Sequence, residues 1–142
     1  MPLLLIIAVL ALIKLFTFPL AAEKELGTLT TGFVLRVRLW LLLVKLALGL
    51  DVVIVDARRS GAEQNQLHLA NPKNPAYDPK NPSSHIAGKA VDVNFKKNGV
   101  TVLLKSSTAA LWRPVVELGT LCGLRWGGLF PGYADNNHFY CE

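Results

Sequence analysis

The sequence predicts an α+β fold: a small antiparallel sheet flanked by helices and preceded by an N-terminal hydrophobic helix. Three observations carry this. Residues 90–95, AVDVNF, alternate apolar and polar side chains as a strand with one buried face does. They run into Asn98-Gly99, a two-residue hairpin signal, with an apolar return strand expected at 100–104. Helix-like stretches at 33–48 and 107–121 stand before and after this hairpin, which suits helices laid on an antiparallel sheet.

A chain of 142 residues is one domain's worth. Its 51% hydrophobic and 18% charged content excludes an intrinsically disordered chain. Fifteen Lys and Arg against ten Asp and Glu leave a net charge of +5, which suits an anionic partner such as cell wall, membrane surface or nucleic acid. The basic residues are scattered and not interleaved with aromatics, so nucleic acid is not expected as a partner. Two cysteines, Cys122 and Cys141, allow one disulfide at most and exclude a disulfide scaffold. They lack a CxxC spacing and are read as a disulfide or as inert thiols, not as metal ligands.

Residues 1–22, MPLLLIIAVLALIKLFTFPLAA, contain one charged side chain, Lys14. At about 1.5 Å per residue they just match a hydrocarbon core of about 30 Å. A membrane anchor, a cleaved signal segment and a buried helix all fit. The basic n-region and small-residue cleavage site of a typical signal are weakly represented. Anchor and signal alike place the remainder outside the cytoplasm, on the periplasmic or cell-wall side, membrane-anchored or secreted. Residues 23–32, EKELGTLTTG, read as a polar linker, and 33–142 as the functional domain, expected to be a monomer.

Within 33–48, Arg38 and Lys45 are seven apart and share a helical face, so an amphipathic helix is expected, ended by Gly49. Residues 51–56, DVVIVD, read as a buried strand. The polar run 58–68 suits a short helix, and 71–82, with four prolines, an extended loop. Pro114 means that the 107–121 helix either begins near Arg113 or kinks. A short strand, a Gly/Pro loop and a last strand around 138–140 complete the chain.

Two of the three histidines have carboxylates nearby in sequence: His85 with Asp92, and His138 with Asp135. Imidazole and carboxylate are suitable zinc ligands, and three protein ligands with one open position is the catalytic arrangement. His85 and Asp92 are too far apart for one helical turn, but a loop bent at Gly88 can bring them together. A carboxylate three residues before a ligand histidine is well placed for a general base. His68 has no such company and receives no role.

Ser83-x-His85-x-x-Gly88-x-Ala90-x-Asp92 resembles the S-x-H-x-x-G-x-A-x-D signature of the D-alanyl-D-alanine carboxypeptidase and L-alanyl-D-glutamate peptidase family, zinc peptidases of bacteria and phages that cut peptidoglycan. Arg59-Ser60 followed by Gln64, then Trp126-Gly127-Gly128, then Asp135-x-x-His138-Phe139 are similar to further family segments in the same order. The resemblance implies a zinc site on the sheet, with Zn²⁺ bound by His85, Asp92 and His138. It implies Asp135 as the base that takes a proton from water and returns it to the leaving amine. Arg59 would hold substrate oxygen and the developing oxyanion. Ser83, Gln64 and Trp126 would line or support the substrate site. The implied partner is the peptidoglycan stem peptide, cut at L-Ala–D-Glu or at terminal D-Ala–D-Ala, by an endolysin of a phage or by a wall-remodelling hydrolase. The alternative is a non-catalytic module that binds cell-wall peptide on the same fold.

Overall fold

The computed structural model describes residues 23–102 and 110–142. The hydrophobic helix expected over 1–22 and the end of the return strand at 103–104 lie outside the described residues. Among the described residues no helix is long and apolar enough to cross a membrane.

In chain order the elements are α1 (Glu23–Leu26), α2 (Thr31–Leu48), β1 (Asp51–Asp56), α3 (Gly61–Ala70), β2 (Ala90–Lys97), β3 (Val100–Val102), α4 (Trp112–Leu121), β4 (Arg125–Trp126), a 3-10 turn (Gly127–Leu129) and β5 (His138–Tyr140). The sheet is antiparallel, ordered β1-β2-β5-β4, with β3 also pairing β2. The α+β architecture and its small antiparallel sheet are as the sequence predicts.

The alternation along β2 sets the two faces. Val91, Val93 and Phe95 are buried, while Asp92 and Asn94 are only partly covered on the opposite side. In β5, Phe139 pairs with Val91 and faces the core, which leaves His138 directly opposite Asp92 on the other face. Helix α2 covers the core face with Phe33, Val37, Trp40 and Val44. Trp40 lies 4.3 Å from Phe139 and 6.4 Å from Phe95, centroid to centroid, and its indole N–H donates to the Val115 carbonyl of α4 at 3.1 Å. One side chain thus ties two helices to the sheet and keeps its polar atom satisfied.

Three expectations are revised. Residues 23–32 are not a linker: Leu26 and Leu29 are buried in the core and Glu23 forms a fork-to-fork ion pair with Arg38 at 2.6 and 2.8 Å. The apolar positions at 26 and 29 outweigh the polar composition around them. Strand β1 is not a buried strand: only Ile54 is buried and Val55 is 58% exposed, because β1 lies at the sheet's edge. Helix α2 buries one stripe as expected, yet Leu35, Leu39 and Leu46 are exposed, so it is less amphipathic than read. The expected pairing of Arg38 and Lys45 on one face holds, with Lys45 meeting Asp51 at 2.7 Å. Of the two alternatives for Pro114 the first holds: helix α4 starts at Trp112, which puts Pro114 in the first turn, where no intrahelical N–H bond is lost and no kink is needed. Cys122 and Cys141 are both free thiols.

Candidate metal centre

The register of β2 against β5 places Asp92 and His138 side by side on the face away from the core. The third group arrives from the loop before β2. Residues 83–89 form a tight turn, closed by the Ala87 N–H to Ser83 carbonyl and Lys89 N–H to Ser84 carbonyl bonds, and Gly88 takes a φ of 68° to turn into the strand. A side chain is strained at that angle. The turn delivers His85, 3% exposed, beside Asp92.

The three ligand atoms converge. His85 Nε2 lies 3.2 Å from Asp92 Oδ1 and 3.2 Å from His138 Nδ1, and His138 Nδ1 lies 2.9 Å from Asp92 Oδ1. A tetrahedral ion with bonds of about 2.0–2.1 Å spaces its ligands by about 3.3 Å, so the triangle is close to that required by Zn²⁺. The outer hydrogen bonds suit the tautomers that a metal site needs. His85 Nδ1–H donates to the Ala57 carbonyl, which leaves Nε2 with its lone pair inward. His138 Nε2 lies 3.3 Å from the Ser84 hydroxyl, which can accept Nε2–H in the tautomer that turns the Nδ1 lone pair inward. Two imidazole lone pairs and a carboxylate cannot face one another bare at this distance. A proton or a cation must lie between them, and the donor set fits a divalent cation. Among the described residues this is the group of His, Cys, Asp and Glu side chains arranged to hold a metal.

When protons on the imidazoles, not a cation, fill the space between these groups, burial works against ionisation of Asp92, but the hydrogen bonds from His138 and His85 and their charge outweigh that and hold the carboxyl well below the usual range. Arg59 completes the carboxylate's surroundings. Its Nη2 donates to Asp92 Oδ2 at 3.1 Å, its Nη1 to Gln64 Oε1 at 3.2 Å, and its Nε to Asp56 Oδ2. Asp56 stands opposite Asp92 after an irregularity in the β1–β2 ladder, so both carboxylates reach the same guanidinium.

Asp135 lines the same cleft of about 750 Å³ as the three ligand candidates. Burial first, and then the nearby Asp92 charge, push its carboxyl above its ordinary value. It is carried on a loop pinned at both ends, by its own N–H to the Gly127 carbonyl at 3.1 Å and by the His138 N–H to its carbonyl at 3.3 Å. Gly127 is required there: a Cβ would lie 2.8 Å from the Asp135 carbonyl oxygen and 2.9 Å from His138 Cβ.

The cleft thus gathers His85, Asp92, His138, Asp135, Arg59, Gln64 and Ser83. Ser83 contributes its rim, and its hydroxyl makes only a long contact, 3.5 Å, with the Ile86 N–H. Gln64, 2% exposed, bridges Arg59 and the Pro75 carbonyl, the latter at 2.7 Å. Trp126 is not among the cleft residues. Its ring covers Gly128, and its Nε1–H donates to the Asn136 carbonyl at 3.0 Å, so it braces the Asp135–His138 loop from behind. Residue-by-residue reading of the sequence missed Asp56, Ser84 and the Ala57 carbonyl. Asp56 ends a strand next to Arg59 and so was in principle detectable; the other two contact the histidines only through the turn's geometry. His68 turns out to tie α3 to the following loop, Nδ1 to the Asn74 carbonyl at 2.7 Å.

A family model described as D-alanyl-D-alanine carboxypeptidase matches residues 77–141, a span that holds all three ligand candidates and Asp135. No curated protein matches the chain. Among solved structures the chain is similar to the crystal structure of Serratia marcescens L-Ala D-Glu endopeptidase ChiX. The TM-score is 0.65 at 20% identity, over 85% of this chain and 86% of that one. At that identity the likeness is one of fold.

Proposed function

We propose that this chain, which belongs by residues 77–141 to the D-alanyl-D-alanine carboxypeptidase family, is a zinc-dependent peptidase that hydrolyses an amide bond of the peptidoglycan stem peptide. The observation that carries the reading is the convergence of His85 Nε2, Asp92 Oδ1 and His138 Nδ1 on one point in a cleft that also contains Asp135. The bond is L-Ala–D-Glu or terminal D-Ala–D-Ala. The solved relative named for the first supports endopeptidase action, and the family description supports carboxypeptidase action. Either substrate places the work outside the cytoplasm.

Zn²⁺ held by His85, Asp92 and His138 would supply Lewis-acid polarisation of the scissile carbonyl and a water acidic enough to ionise near neutral pH. The chain's own residues do the rest. Asp135, as carboxylate, takes the proton of the attacking water on its side-chain oxygen and gives it to the amine nitrogen as the C–N bond breaks. Its raised affinity for protons makes it the stronger base in the first half of that cycle. Ala57 and Ser84 orient the two imidazoles. Arg59 holds the far oxygen of Asp92, which keeps Oδ1 aimed at the site. One N–H of each of its three nitrogens is engaged by Asp56, Gln64 or Asp92, and the second N–H of Nη1 and of Nη2 remains for a substrate oxygen or the developing oxyanion.

Mass spectrometry of purified peptidoglycan digested with the full chain, with added zinc and with a chelator, tests this. New fragments that disappear with the chelator are expected, and their masses name the bond. Intact peptidoglycan after incubation with zinc-loaded, folded protein would overturn the reading.

A further inference from the structure

Helix α2 carries an apolar stripe that the fold leaves uncovered. Leu35, Leu39 and Leu46 are 44%, 40% and 65% exposed. At about 3.6 residues per turn these positions fall within about 40° of one another, on the side of α2 away from Phe33, Val37, Trp40 and Val44, which pack on the sheet. Leu42, at the margin of the stripe, is already buried, so the free surface is those three side chains. Basic residues border it on both sides. Arg38 and Lys45 stand along one edge, paired with Glu23 and Asp51. Arg36 stands along the other, where its Nη1 donates to the Gly123 carbonyl at 3.1 Å, and it enters none of the ion pairs among the described residues. A leucine stripe with basic borders is the pattern of a helix lying in a membrane surface: the leucines enter the acyl boundary and the long basic side chains reach the headgroups. α2 is not apolar enough to cross a membrane, which leaves the surface as its place on a bilayer.

The chain that leads into the helix identifies the occupant. Residues 1–22 contain one charged side chain, and they join α1 at Glu23. The Glu23 carboxylate is held by both terminal nitrogens of Arg38, at 2.8 and 2.6 Å, at the border of the stripe. The apolar segment therefore joins the domain beside the exposed leucines. A segment that is apolar on every side could turn only part of its surface to three leucines, whereas a bilayer takes up both. We propose that α2 lies along a lipid bilayer with Leu35, Leu39 and Leu46 at the headgroup–acyl boundary, as a second membrane contact beside residues 1–22. One weak apolar contact binds a membrane marginally and reversibly; two together hold the domain and orient it. The orientation follows from the layers of the fold. α2 packs on the face of β2 that carries Val91, Val93 and Phe95, and His85, Asp92 and His138 gather on the opposite face. With the stripe on the membrane, the cleft points away from it. The docking does not rest on the peptidase reading, to which it adds a cleft turned towards the cell wall.

The test uses the full chain reconstituted in phosphatidylcholine–phosphatidylglycerol vesicles, with tail-brominated phosphatidylcholine as the quencher. Tryptophan is placed on the stripe in Leu39→Trp and in Leu46→Trp, and on the cleft side in Tyr133→Trp, where the native tyrosine is exposed. Each emission is read as the difference from the wild type, whose Trp40 and Trp112 are buried. The added emission of both stripe variants should shift to the blue on vesicles and fall by about half or more with the brominated lipid, because the indole then sits at the acyl boundary. The added emission of Tyr133→Trp should stay unquenched. Equal quenching at 39, 46 and 133, or none at 39 and 46 in protein that floats with the vesicles, would overturn the inference. Protein that does not float with the vesicles would overturn it as well. So would a blue shift at 39 and 46 already present without lipid: residues 1–22 then cover the stripe or, where the shift depends on protein concentration, a second copy of the chain does. None of these readouts depends on cutting of peptidoglycan, so the peptidase reading stands or falls separately.

Discussion

His85 depends for its ligand character on a carbonyl 28 positions earlier in the chain: by accepting Nδ1–H, Ala57 leaves Nε2 free to face Asp92. Single side chains at this scale carry separable tasks. His85→Ala and His138→Ala should each lose both zinc and activity, read by metal analysis and peptide release, since each removes a ligand. Asp135→Asn should keep its zinc and lose turnover by about a hundredfold or more, because the amide cannot take the proton. If the metal is lost instead, Asp135 is a ligand and the assignment of Asp92 fails. Arg59→Lys should lower kcat more than it raises KM: a lysine cannot reach Asp56, Asp92 and Gln64 at once, so Asp92 loses its fixed orientation. An Arg59→Lys enzyme with unaltered kcat would show that the fork is not needed to position Asp92.

Each strand serves two purposes at the level of secondary structure. β5 is three residues long, yet its middle residue, Phe139, is core and its first, His138, is site. Phe139→Ala should cost about 3–5 kcal/mol in a denaturant titration, the usual range for a buried phenylalanine, and should loosen the site with it. A loss well below 1 kcal/mol would mean that Trp40 and Val91 close over the gap. The turn before β5 is equally constrained. At Gly127 an added methyl group would meet the Asp135 carbonyl and His138 Cβ inside 3 Å, and neither is the end of a flexible side chain. Gly127→Ala should therefore weaken zinc binding and activity together while circular dichroism still reports a folded chain. The W-G-G segment is thus best understood as a support for the site: Trp126 braces the loop and Gly127 lets it pass.

At the scale of the whole molecule, the proposed zinc binding is linked to folding, because His85, Asp92 and His138 come from a loop and two strands that meet only in the folded state. Zinc at about a hundredfold over its Kd should add about 2.7 kcal/mol to stability, lost on chelation and absent in His138→Ala. A second dependence is set by Cys122, whose thiol burial pushes up from its ordinary value. A raised value in the fold means full stability below the unfolded thiol value of about 8.5 and a decline as pH rises through the folded one. Urea midpoints should fall between pH 7.5 and 9.5. Cys122→Ala should flatten that slope, and a slope that persists would assign it to another group.

The sequence by itself determined the α+β class, the alternation of residues 90–95, the hairpin at Asn98-Gly99 and the set His85, Asp92, Asp135 and His138. These are legible because side-chain period, turn chemistry and ligand type are local properties. The tertiary structure decided what depends on neighbours distant in sequence. It made 23–32 part of the core and put β1 at an edge. It engaged Arg59 with Asp56, Asp92 and Gln64, and it bonded the Trp126 indole N–H to the Asn136 carbonyl, in the loop that carries Asp135. A residue's type limits which contacts it can make, but only the register of β2 against β5 and the turn at Gly88 bring those contacts within reach.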